Sequence, residues 1–132
     1  CAAIHAGKER KLEYGVASQP DYKGRGNKAM HYSSFVVEEL IPYILETYKV
    51  ERFSEIAFAG FSLGGLSAMD ITWNHPSIFS KAAVFSGSFW WRTKSLASAE
   101  YSDESHRIMH QQVRTGEYKP GLQFFLSPTC LN

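Results

Sequence analysis

The sequence predicts an α/β fold, with about four parallel strands and flanking helices in a single domain over residues 1–132. Three observations carry that expectation. Short continuous apolar runs of buried-strand type recur at 1–5, 54–61, 82–85 and 121–126. The segments between them show helical spacing, and strands separated by helices imply right-handed crossovers and a parallel sheet covered on both faces. At the centre, Gly60-Phe61-Ser62-Leu63-Gly64-Gly65 joins the apolar run Ile56-Ala57-Phe58-Ala59 to a helical stretch from Leu66 to Trp73.

In chain order, residues 1–5 read as a short strand closed by Gly7. Residues 8–28 are polar and basic, with turn signals at Pro20-Asp21 and Gly24-Arg25-Gly26-Asn27, and read as a long surface loop. From His31 to Tyr48 the apolar positions Phe35, Val36, Leu40, Ile41, Ile44, Leu45 and Tyr48 follow spacings of three and four. That spacing is one face of a helix. Pro42 lies inside it, and because the stripe continues in phase a kink is expected there, not an end. A strand at 54–61 leads into the glycine-rich turn, and a helix leaves it at Leu63, stopped by Asn74-His75-Pro76. The run Ala82-Ala83-Val84-Phe85 is the next strand, followed by Ser86-Gly87-Ser88-Phe89-Trp90-Trp91. A helix near 104–113, stopped by Gly116, and a strand at 121–126 complete the pattern.

The central turn carries the chemistry. In Gly-x-Ser-x-Gly the flanking glycines let strand and helix approach through a tight turn, which exposes the serine hydroxyl at a helix N-terminus. Free N–H groups and the helix dipole there favour negative charge. Ser62 is therefore the candidate nucleophile, and the N–H of Leu63 the candidate donor to a tetrahedral oxyanion. A phosphate-binding loop would place Gly-Lys-Ser/Thr after its first glycine, and no such run is present. Ligands of open parallel sheets bind beyond the carboxyl ends of the strands. That edge gathers Ser62, residues 86–91, His5 and the loop after Leu126, with His5, Trp90 and Trp91 as candidate substrate contacts. Core packing is the plain alternative for either tryptophan, and a backbone-satisfied strand end the alternative for His5.

Composition narrows the classes. The 44% hydrophobic and 14% aromatic content suit a folded domain. A formal charge of +1 gives no reason to expect nucleic acid or an anionic membrane as a partner. No apolar run approaches the roughly 20 residues of a membrane span. Two cysteines, Cys1 and Cys130, form neither a disulfide framework nor a metal pattern, so the compartment is not readable. His106 and His110, four apart on one helix, lack candidates for a third metal ligand.

The motifs Gly60-Phe61-Ser62-Leu63-Gly64-Gly65, His75-Pro76 and Val84-Phe85-Ser86-Gly87-Ser88-Phe89-Trp90-Trp91 resemble the putative-esterase family of α/β-hydrolases. This group includes enterochelin esterases, esterase D-like enzymes, feruloyl esterases and mycolyl transferases. Phe35 to Ile44, proline included, is similar to the family's helix before the serine, and Ile4 to Tyr14 to the segment opening that region. The resemblance implies a partial α/β-hydrolase fold and a serine esterase acting on a small-molecule carboxylic ester through an acyl-enzyme on Ser62. It implies a Ser-acid-His triad in that chain order, with no metal or organic cofactor. The acid and histidine are expected beyond the strand ending near Leu126, and a second oxyanion donor before Cys1, so the chain reads as a central piece. In place of the family's Gly-Thr-x-Asp-like stretch stands Ser127-Pro128-Thr129-Cys130. Within the chain, His75 ends the helix that Ser62 begins, roughly 20 Å away at 1.5 Å per residue. Asp70 lies about two turns along that helix. Asp103 with His106 or His110 has the right order but an unusual position. Two alternatives stay open: an acyltransferase on the same scaffold, and an inactive fragment acting as a binding module. Sheet edges left without neighbours would favour self-association.

Overall fold

The computed structural model describes residues 1–128. Thr129, Cys130, Leu131 and Asn132 fall outside it, so the reading of Cys130 lies beyond the described residues. The elements run α1 (Arg10–Glu13), α2 (Ala29–Ser34), a π-helical turn (Phe35–Leu40), α3 (Ile41–Thr47), β1 (Ala57–Phe61), α4 (Leu63–Asn74), β2 (Lys81–Phe85), α5 (Asp103–His106), α6 (Ile108–Thr115) and β3 (Gln123–Ser127). The strands form one parallel sheet in the order β1-β2-β3. Phe61 registers with Phe85, and Phe85 with Ser127, so all three carboxyl ends reach one edge. No helix among the described residues is long and apolar enough to cross a membrane.

Two expectations need correction. The sheet has three strands among the described residues, not four, because residues 1–5 form no regular element and do not join it. Ile4 and Ala6 pack against the core, but Cys1, Ala2 and Ala3 are exposed, and these small side chains bury too little to fix a ladder. The second correction concerns coverage. Helix α4 packs on β1 and β2, yet Phe61, Phe85 and Phe125, alternating onto the opposite face, are exposed. Among the described residues the sheet is covered on one face.

Helix α4 is the hub. Of its residues, Leu63, Gly65, Leu66, Ser67, Ala68, Met69, Asp70, Ile71 and Thr72 are buried, so it is enclosed on nearly every side. One side joins Leu63, Leu66 and Met69 to Tyr14, Val16, Val84, Trp91, Ile108 and Met109. The other packs Ile71 on Val36 and Phe79. The helix before β1 runs continuously through Pro42, and the π-helical turn explains how. The Ile41 N–H bonds the carbonyl of Val36, five residues back, and the widened turn makes room for a ring that lacks an N–H of its own.

The long loop is more ordered than its composition suggests. The Asp21 carboxylate, buried, accepts from the N–H groups of Lys23 and Arg25, both at 2.9 Å, and from the Arg25 guanidinium. The same guanidinium lies over the rings of Trp90 (5.0 Å) and Trp91 (5.2 Å). Gly15 and Gly26 close against Trp91, where an added Cβ would come within 2.9 and 2.8 Å of the indole. Only glycine fits there.

Candidate functional site

The turn between β1 and α4 is strained by design of its sequence. A Cβ at Gly60 would lie 2.1 Å from the Gly64 carbonyl oxygen, so only glycine lets strand and helix come this close. A Cβ at Gly65 would meet both the Gly60 carbonyl oxygen and Val84 at 3.0 Å. Between them Ser62 takes φ 57° and ψ −119°, a backbone conformation that costs a non-glycine residue on the order of 1–3 kcal/mol. The surroundings hold it there. Its N–H donates to the Phe85 carbonyl at 2.9 Å, and its carbonyl accepts from the N–H groups of Leu66 and Ser88, each at 3.1 Å.

Ser62 stands at the N-cap of α4, where a serine oxygen ordinarily accepts from the first turn. Here the side chain makes no such cap. The hydroxyl lies 3.3 Å from the Ser88 hydroxyl, and the N–H groups of Leu63 and Gly64 have no acceptor among the described residues. The turn therefore presents a half-buried hydroxyl beside unused donors at the positive end of a helix. That arrangement can bind and stabilise an oxyanion.

The other sequence candidates are placed less closely. Trp91 is fully enclosed in the core, so it offers no surface to a ligand; its role is packing. Trp90 is exposed, its ring 5.8 Å from that of Trp91 and covered on one side by Arg25. His5 is exposed and has no hydrogen-bond partner among the described residues. No histidine is hydrogen-bonded to Ser62. His75 Nε2 lies 3.1 Å from Ser33 Oγ. His106 accepts from the Ser102 N–H through Nδ1 at 3.0 Å. His110 packs edge-on to Phe89, and desolvation, with Arg107 nearby, holds it below the ordinary imidazole range. Asp103 is engaged by Tyr101 and Arg107, not by a histidine. Among the described residues no group of three or more His, Cys, Asp or Glu side chains could hold a metal ion.

Two residues have roles that the sequence did not assign. Ser88, 2% exposed, meets Ser62 through both backbone and side chain. Its signal was the Ser86-Gly87-Ser88 turn that follows β2. Asp70, which the sequence placed too far along α4 for catalysis, is a structural clamp. Its carboxylate accepts from the Ala17 N–H (2.9 Å), Asn74 (3.0 Å) and Gln112 (3.0 Å), and burial pushes its pKa up despite these bonds. A cavity of about 330 Å³ lies at the amino ends of β1 and β2, between 53–56 and 76–80. That is the edge opposite Ser62.

Parallel strands, a strained serine between β1 and α4, and a helix enclosed by the core define an α/β fold of esterase type. The comparisons with known proteins agree. The family model described as Putative esterase matches residues 3–121, and the chain belongs to that family. The solved enterobactin esterase FES from Shigella flexneri, in the presence of 2,3-Di-hydroxy-N-benzoyl-serine, is similar at 26% identity and a TM-score of 0.53, over 70% of this chain and 23% of its own. The same esterase in the presence of enterobactin gives 25% identity and a TM-score of 0.54, over 70% of this chain and 22% of its own. The Uncharacterized protein YbbA of Bacillus subtilis (strain 168) is 37% identical over 67 residues, which are 50% of this chain and 27% of that protein. The chain thus spans about a quarter of the length of these relatives.

Proposed function

We propose that the turn at Ser62 is the nucleophile elbow of a serine esterase that cleaves small-molecule carboxylic esters. The observation that carries this reading is the backbone of Ser62: a strained non-glycine residue at a strand-to-helix turn, with its hydroxyl withheld from capping. Strain retained where glycine would relieve it is the mark of a side chain that is needed.

In the reaction a base takes the Ser62 hydroxyl proton as Oγ bonds to the ester carbonyl carbon. The carbonyl electron pair moves onto oxygen, which meets the Leu63 N–H and the dipole of α4. Collapse breaks the bond to the alcohol, which leaves with the proton. Water then repeats the sequence on the acyl-Ser62 ester and releases the acid. None of the described histidines is hydrogen-bonded to Ser62, and we assign the general base and its acid partner to residues outside those described. Trp90, exposed on the segment that follows Ser88, is the aromatic contact we assign to substrate.

The Shigella relatives make enterobactin the first ester to try. A simpler test uses p-nitrophenyl butyrate and mass spectrometry of the intact chain. With imidazole supplied as the base, a butyryl adduct on Ser62 is expected, absent in Ser62→Ala. Acylation that is equal in the two proteins would remove the reading.

A further inference from the structure

Ser88 sits on the turn after β2 and is held from its own side. Ser86 takes φ 51°, and the Ser88 carbonyl accepts from the N–H of Trp91 at 3.1 Å. A Cβ at Gly87 would come within 2.6 Å of Val84, so the turn packs closely against β2 and only glycine fits there. On the other side Ser88 grips Ser62 twice: its N–H donates to the Ser62 carbonyl at 3.1 Å, and the two hydroxyl oxygens are 3.3 Å apart. The Ser88 side chain is buried, and Ser62 Oγ is its sole hydrogen-bond partner among the described residues. A buried hydroxyl without a partner is costly, so this contact is strongly favoured. For Ser62, which makes no cap, it is the sole side-chain hydrogen bond among the described residues.

We propose that Ser88 is a positioning residue: its hydroxyl selects one rotamer of Ser62 and donates to Ser62 Oγ when negative charge builds there. The second half of this assignment rests on the reading of Ser62 as nucleophile. During attack, Oγ gives its proton to the base and forms the bond to carbon, and the Ser88 O–H points at the remaining lone pair. During deacylation the C–Oγ bond breaks and Oγ recovers a proton from the base, with the same donor easing its departure. Ser88 itself exchanges no proton and forms no covalent bond. A hydroxyl that merely fills space would leave the Ser62 rotamer and reactivity unchanged on removal.

The experiment has two arms on the full chain. Hα–Hβ couplings of Ser62, measured by nuclear magnetic resonance, should report one staggered rotamer in the wild type and averaging in Ser88→Ala. Ser88→Cys, near in size and a weak donor, should average in the same way and serves if the alanine variant does not fold. Couplings that match the wild type in a folded variant would overturn the proposal. The second arm follows formation of a fluorophosphonate adduct on Ser62 with imidazole supplied as base. The rate should fall roughly threefold to tenfold in Ser88→Ala, the kinetic equivalent of one hydrogen bond. Equal rates with an unchanged circular dichroism spectrum would overturn the proposed donation. No adduct even in the wild type would defeat the nucleophile reading instead, and the couplings would still decide whether Ser88 positions Ser62.

Discussion

The first turn of α4 and its middle treat polar groups in opposite ways. At Ser62, Leu63 and Gly64, the hydroxyl makes no cap and the first-turn N–H groups have no acceptor among the described residues. One to two turns on, Ser67 accepts from the Gly15 N–H at 3.0 Å and Asp70 collects three hydrogen bonds. Of the three buried polar side chains of α4, only Thr72 leaves its oxygen without a partner among the described residues. Partnered groups tie α4 to the 14–17 segment and α6, whereas withheld groups are available to a ligand. One helix therefore separates scaffold from chemistry along its length.

The comparison can be broken most severely at its junction. Gly60→Ala forces a Cβ into the Gly64 carbonyl and should cost about 3 kcal/mol or more, read as a shift of the urea midpoint. Removing the clamp comes next. Asp70→Ala strands the donors of Ala17, Asn74 and Gln112, with an expected loss of roughly 2–3 kcal/mol and faster hydrogen exchange at Ala17.

Asp70 also gives the clamp a pH signature. Its folded pKa is raised by burial, so between the ordinary carboxylate range and that raised value the folded state binds more protons than the unfolded. This group's contribution therefore favours folding at the acid end and weakens as pH rises through that window. Urea midpoints measured across it should fall more with pH in the wild type than in Asp70→Asn. An identical slope in the two proteins would contradict the assignment.

The smallest effect has the opposite sign. In a Ser88→Ala background, where no buried hydroxyl is left without its partner, Ser62→Gly removes the penalty at φ 57° and should stabilise the fold by about 0.5–1 kcal/mol while abolishing any acyl adduct. A mutation that gains stability and loses chemistry would sharpen the division within α4 more than any that damages both.

How far the residues announced this division depends on locality. Gly60, Ser62 and Gly64 specify a turn through steric demands that hold within six residues, so strand, serine and helix were readable together. Helix 29–47 was readable for the same reason, although the π-helical turn that accommodates Pro42 was not. Residues 1–5 looked like a strand because apolar composition signals burial but not a ladder partner. Trp90 and Trp91 are indistinguishable as letters, and their opposite fates depend on Gly15 and Gly26 closing against one ring from far along the chain. The roles of Ser88 and Asp70 were not readable for a related reason: Ser88 meets Ser62 from 26 residues away, and Asp70 binds Ala17 and Gln112 from 53 and 42 residues away.

The measurement that bears most directly on the central claim is fluorophosphonate labelling of the purified chain, with and without imidazole, mapped by mass spectrometry. The account predicts little reaction alone, and an adduct on Ser62 once imidazole supplies the base, lost in Ser62→Ala. Rapid labelling without imidazole would show that a base already reaches Ser62. No adduct on Ser62 in either condition, from a folded chain, would contradict its assignment as the nucleophile.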